Sequence, residues 1–130
     1  MSDQTQACRW LKFAQDDLVI AHYALESIYP KQIFIACYHC QQAAEKALKA
    51  YLIFKNIAFN RTHDLVMLQG QCLDCDKNFG DLLVDCSILT PYVTQARYPN
   101  NEEITAEEAV AALQKAERIV EFCASLITSK

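Results

Sequence analysis

The chain has 130 residues, 52% of them hydrophobic and 22% charged, with a net charge of −4 and a pI near 5.3. That size suits one domain with an ordinary core, and the composition excludes disorder. An acidic balance does not indicate a broad basic surface for nucleic acid and leaves room only for a local patch, and two glycines with three prolines make long helices easy and an all-β fold hard.

Helical periodicity dominates from the start. Ala7, Leu11, Ala14, Leu18, Ala21, Leu25 and Ile28 recur at steps of four and three, predicting a helix from about Gln4 to Ile28. Tyr29-Pro30 should end it, because the residue before proline is pushed out of helical geometry. A second helix carries Ile33, Cys37, Cys40, Ala44, Ala47, Tyr51 and Phe54 on its packing stripe. A third opens near Thr62–Asp64, with Thr62 or Asp64 as cap, and presents Leu65, Leu68, Cys72 and Cys75. After the turn Lys77-Asn78-Phe79-Gly80, a fourth helix should carry Leu82, Cys86, Leu89, Val93 and Ala96, kinked at Pro91. The last opens with Thr105-Ala106-Glu107-Glu108, a capping box, and lines up Ala106, Ala109, Leu113, Ala116, Val120, Cys123 and Ile127. The expected fold is all-α: an up-and-down bundle of four to five antiparallel helices in a single domain over 1–130.

No run approaches the roughly 18 apolar residues of a membrane span, and the N-terminus lacks a signal-peptide pattern. The cytoplasm is the expected compartment, with the seven cysteines reduced. Cys37-x-x-Cys40 and Cys72-x-x-Cys75 tempt a zinc reading, but both pairs fall on core stripes of helices, where cysteine acts as a small hydrophobe. No metal or cofactor is expected.

Two polar groupings need an account. Beside the core stripe of the second helix runs a mixed stripe of Tyr38, Gln41, Glu45, Leu48 and Leu52, with Gln42, Lys46 and Lys49 beyond it. It fits either a solvated face with a Glu45–Lys49 pair or a contact with a second subunit. The other grouping is Arg61, His63 and Asp64 at a helix start, with Arg97 and Tyr98 at a helix end. An arginine beside a helix N-terminus can seat a phosphate, and a tyrosine ring can stack on a base. In the bland alternative, Asp64 caps, His63 bonds a neighbouring helix, and Tyr98-Pro99 shapes a turn.

Four separated stretches, Ala14-Gln15-Asp16-Asp17-Leu18, CYHCQQAAEKALKAYL (37–52), RTHDL (61–65) and ARYP (96–99), together resemble the HEPN domain family. The closest match runs from Gln41 to Ala50, with Thr62-His63-Asp64-Leu65 following at the familiar distance. The resemblance implies a small helical bundle, commonly a homodimer, often acting with a minimal nucleotidyltransferase. It also implies two possible roles, nucleotide binding or metal-independent RNA cleavage in toxin–antitoxin and defence systems. The ribonuclease members of that family use an arginine followed by a histidine with four to six residues between. Here Arg97 is followed at those places by Glu102, Glu103 and Ile104, while Arg61 and His63 are two apart and Arg9 and His22 thirteen apart. The departure favours an interaction module, with nucleotide or RNA contact at Arg61, His63, Asp64, Arg97 and Tyr98 and no catalytic residue. The alternative is a ribonuclease toxin with a divergent Arg/His pair.

Overall fold

A computed structural model describes residues 2–94 and 103–128. Among these, helix α1 runs Asp3–Glu26, α2 Ile33–Phe54, α3 Leu65–Leu73, α4 Leu83–Leu89 and α5 Ala106–Thr128, with no strand. The long helices α1, α2 and α5 pack on one another, and α3 and α4 close the remaining side of α2. None of these helices is long and apolar enough to cross a membrane.

The middle helix sets the architecture. Twelve of the 22 residues of α2 are buried, so it is covered on several sides rather than along one stripe. Ala36, Ala43, Ala44, Ala47 and Ala50 are fully buried, and their small side chains let neighbouring helices approach closely. The larger filling comes from Leu48, Leu52, Leu65, Leu68, Leu89, Ile119 and Ile127. Phe79 is fully buried between the rings of Tyr51 and Phe122, at centroid distances of 4.7 and 4.9 Å.

Local chemistry accounts for the boundaries. Ser2 caps α1, accepting from the Thr5 N–H. α2 ends with Asn56 in the left-handed region (φ 58°), while the Asn56 N–H donates to Ile53 O and the Ile57 N–H to Leu52 O. That is a Schellman ending with asparagine standing where glycine is usual. The capping box of α5 forms as the sequence predicts: the Thr105 N–H donates to Glu108 Oε1 at 2.9 Å, and the Glu108 N–H to Thr105 Oγ1 at 3.0 Å.

Three expectations need correction. The first helix stops at Glu26, which leaves Ile28 outside it and 37% exposed, and Leu18 is half-buried. The fourth helix is not one kinked rod but a 3₁₀ turn Lys77–Leu82, then α4, then a 3₁₀ turn Thr90–Val93. Pro91 has no N–H to donate four residues back, and the chain tightens there instead of bending. Cys75 is half-buried rather than in the core. Ala96, Arg97, Tyr98 and Pro99 lie outside the described residues.

Cys37, Cys40, Cys72, Cys86 and Cys123 are buried, free thiols. Burial pushes Cys37 and Cys86 up to about 12 and raises Cys40, Cys72 and Cys123 as well. In the native protein, a thiol reagent near neutral pH should label exposed Cys8 and reach those five only on unfolding. Mass spectrometry before and after denaturant reads the difference. Rapid labelling of the five in the native state would contradict this packing.

Candidate functional site

Three carboxylates are buried among the described residues: Asp85 pairs with Arg118, while Asp17 and Glu45 are each bridged by one lysine and one histidine. Asp17 of α1, 5% exposed, accepts from Lys46 Nζ at 2.7 Å through Oδ2 and pairs through Oδ1 with His39 Nδ1 at 2.8 Å. Glu45 of α2, also 5% exposed, accepts from Lys49 Nζ at 2.9 Å through Oε2. Its Oε1 meets His63 Nδ1 at 2.9 Å and Gln41 Nε2 at 3.2 Å. Both sets draw on α2 at helical spacing, so one helix binds α1 through the first and the loop before α3 through the second.

Gln41 extends the second set. It is fully buried, and its Nε2 also donates to the main-chain oxygen of His63 at 2.8 Å, while its Oε1 accepts from Gln42 Nε2 at 2.7 Å. His63 is therefore held twice from α2, by its backbone and by its ring. Buried side-chain polar atoms without a partner are absent among the described residues.

This geometry revises the reading of the mixed stripe. Gln41, Glu45 and Leu48 are buried within a single chain, and Tyr38 is half-buried, so the first three offer no surface to a second subunit. Nor are they a solvated face. Lys46 and Lys49 keep 30% and 12% side-chain exposure and point their charges inward at carboxylates. Periodicity misleads here because α2 has neighbours nearly all round, which turns a flanking polar stripe into an internal one.

At the start of α3 the helix end is filled by side chains of the chain itself. Asp64 Oδ1 accepts from the Val66 and Met67 N–H groups at 2.9 and 3.4 Å, and Thr62 Oγ1 accepts from the Asp64 N–H at 3.0 Å. The Leu65 N–H is taken by Thr90 Oγ1 at 3.1 Å and the Leu68 N–H by Asp64 O. The end of this helix is thus already occupied by its own cap and is no phosphate seat, a correction to the expectation. Arg61 is exposed, and the His63 side chain is 65% exposed. With its Nδ1 on Glu45, His63 presents Nε2 to solvent. Arg97 and Tyr98 lie outside the described residues, so the pairing of the two clusters is not part of this geometry.

Sequence reasoning missed the roles of Asp17 and His22. Asp17 falls at a core register between Ala14 and Ala21, and a charged residue there signals an internal partner. His22 bridges α1 to α5, with Nε2 at 2.7 Å from Glu117 and Nδ1 at 3.2 Å from Glu26. Nothing in the local sequence announces that contact. The CxxC pairs stay apart from this chemistry: among the described residues no group of three or more His, Cys, Asp or Glu side chains is arranged to hold a metal.

The fold and the motif together point to one class of helical domain, and the HEPN domain profile matches residues 7–126. The chain belongs to the HEPN domain family. It is 29% identical over 137 residues to a protein of Methanocaldococcus jannaschii named "Putative toxin MJ1304", covering 93% of this chain and 88% of that one. Two crystal structures are similar to it. TT1696 from Thermus thermophilus superposes with a TM-score of 0.76 at 27% identity, over 91% of this chain and 95% of that one. ST0689, an archaeal HEPN homologue, gives 0.74 at 29% identity, over 94% and 98%.

Two titrations follow. Burial lifts the carboxyl of Glu45, but hydrogen bonds from Lys49 and His63 outweigh it and hold the group below its ordinary 4.5. Its stabilisation is therefore present above 4.5 and is lost as pH falls through the lower folded value. Glu45→Ala strands the ammonium of Lys49 and should cost about 3 kcal/mol in urea denaturation at neutral pH. A loss under about 0.5 kcal/mol would class the set as surface decoration.

His22 behaves oppositely. The hydrogen bond to Glu117, the largest cause, together with that to Glu26 raises it above 6.5 despite desolvation. Its contribution is full below 6.5 and fades as pH rises through the folded value. Urea midpoints across that range should fall with pH in the wild type and lose this slope in His22→Gln.

Proposed function

We propose that the chain is a HEPN interaction module: a cytoplasmic homodimer that works beside a nucleotidyltransferase-type partner, contacts nucleotide or RNA at Arg61 and His63, and does not cleave RNA itself. The observation that carries this reading is where the motif's polar side chains go. Gln41, Glu45, Lys46 and Lys49 are all bonded within their own chain, to α1, to α2 and to the loop before α3. The motif is a brace, and residues tied into a brace are poorly placed to follow a reaction. Each of the three histidines likewise meets a carboxylate of its own chain. The required arginine-to-histidine spacing is absent from the sequence.

A second reading has one observation in its favour. Glu45 fixes the tautomer and direction of His63, the arrangement in which an imidazole serves as general base, and Arg61 stands two residues away. In that reading His63 Nε2 would take the proton of the ribose 2′-hydroxyl as it attacks the adjacent phosphorus, with Arg61 holding the phosphate. The bond to the 5′ oxygen of the next nucleotide breaks, and that oxygen leaves as a hydroxyl protonated by water, giving a 2′,3′-cyclic phosphate. The toxin name of the archaeal relative belongs with this alternative.

Purified chain incubated with RNA in the presence of a chelator separates the two. The module reading expects intact RNA, and about tenfold weaker nucleotide or RNA binding in Arg61→Ala, measured by titration. Cleavage that survives purification and disappears in both Arg61→Ala and His63→Ala would establish the ribonuclease instead.

A further inference from the structure

The outward face of α4 carries no charge. Its exposed residues are Leu83, Val84, Ser87 and Ile88, which stand one, three and four positions apart and so share one side of the helix. Asp85, the one charged residue of α4, is buried and taken by Arg118 of α5. Leu73 at the end of α3 adjoins this side through Gly80. A Cβ added to Gly80 would stand 3.7 Å from Leu73 Cδ1, and the Gly80 carbonyl accepts the Leu83 N–H. The chain's own fold leaves Leu73 39%, Leu83 45%, Val84 65% and Ile88 42% exposed. Together they offer on the order of 400 Å², within the range of apolar patches that monomers use for recognition.

The border of the patch is acidic. From Asp64 to Val93 the chain holds five aspartates and one lysine, a net −4 that equals the charge of the whole chain. Three of the five are occupied: Asp64 caps α3, Asp76 accepts from the Asn78 N–H, and Asp85 holds Arg118. Asp74, which follows Leu73, and Asp81, which follows Gly80, are exposed and make no side-chain hydrogen bond or ion pair among the described residues. Two uncompensated carboxylates thus stand beside an apolar surface, an arrangement that favours a cationic partner.

We propose that this face docks an amphipathic helical segment of another protein, apolar along one stripe and rich in lysine or arginine beside it. The apolar stripe seats on Leu83, Val84 and Ile88 through anchors three and four residues apart, and the flanking cations meet Asp74 and Asp81. Size and charge both select this occupant. A standard interface takes about 800 Å² from each partner, roughly twice what the patch offers, whereas a single short helix needs no more. A second copy of this chain would bring the same acidic border and set aspartate against aspartate. The proposal is independent of the homodimer and of the contact at Arg61 and His63.

Fluorescence anisotropy of the full chain with a labelled helical peptide, leucine on one face and lysine on the other, tests it. The peptide should bind, more weakly as salt is raised, and its counterpart with glutamate in place of lysine should not. Val84→Asp should weaken binding at least about tenfold, because it sets a carboxylate against the apolar stripe. Asp74→Lys combined with Asp81→Lys should weaken it about tenfold through like charges. Val19→Asp, at an equally exposed hydrophobe on α1, should change nothing. All these positions lie outside the core, so the circular dichroism spectrum should stay that of the wild type. No binding of the lysine peptide, equal binding of the glutamate peptide, or an equal loss in Val19→Asp overturns the proposal. So does sedimentation showing that Val84→Asp dissociates a wild-type dimer, since the face would then belong to a second copy.

Discussion

The carboxylate of Asp17 is the constraint on which the rest of the structure depends. It leaves α1 at a core register, 5% exposed, and meets two partners from α2. An ionised carboxylate in that position is costly unless it is paired and hydrogen-bonded, so α1 can dock on α2 in few registers other than the one that brings Lys46 and His39 to it. Glu45 imposes the same condition on the chain between α2 and α3. Its oxygens select the position of His63, and Gln41 fixes the adjoining backbone. The alanine-rich surface of α2 would tolerate sliding, because small side chains interlock weakly. The contacts of Asp17 with Lys46 and of Glu45 with His63 remove that freedom. Their contribution is chiefly uniqueness of register, and hydrophobic burial supplies the bulk of the stability.

The same arrangement explains how a motif rich in glutamine, glutamate and lysine can lie in the middle of a helical domain. Such residues at a functional site would be expected to converge on a cleft. Here they diverge from α2 toward α1 on one side and the α3 start on the other. The brace leaves exposed the side chains of His63 and Arg61, and α1 turns a mixed face of hydrophobic and charged side chains outward.

Much of the fold is legible in the sequence because helix periodicity survives single-residue inspection. The three long helices, the capping box at Thr105 and the cap at Asp64 follow from local rules that act within one turn. What the rules do not supply is the number of neighbours each helix has. A stripe analysis assumes one buried face, and α2 has several, so Gln41 and Glu45 read as outward when they point inward. Pro91 reads correctly as a disruption, but the outcome, a 3₁₀ turn instead of a kink, depends on how α4 meets α3 through Thr90 and Leu65. Among the site residues, Asp17 carries a readable signal, a charge at a core position. Its partner, 29 residues away, does not.

The most direct test of the brace is a double-mutant cycle between α1 and α2, using Asp17→Asn, Lys46→Met and the combination, with stability measured by urea denaturation at neutral pH. If the ion pair fixes the docking of α1, the two substitutions will be strongly non-additive, with a coupling of about 1–2 kcal/mol. Additive losses, with coupling under about 0.3 kcal/mol, would mean that packing alone sets the register and that Asp17 is a passenger.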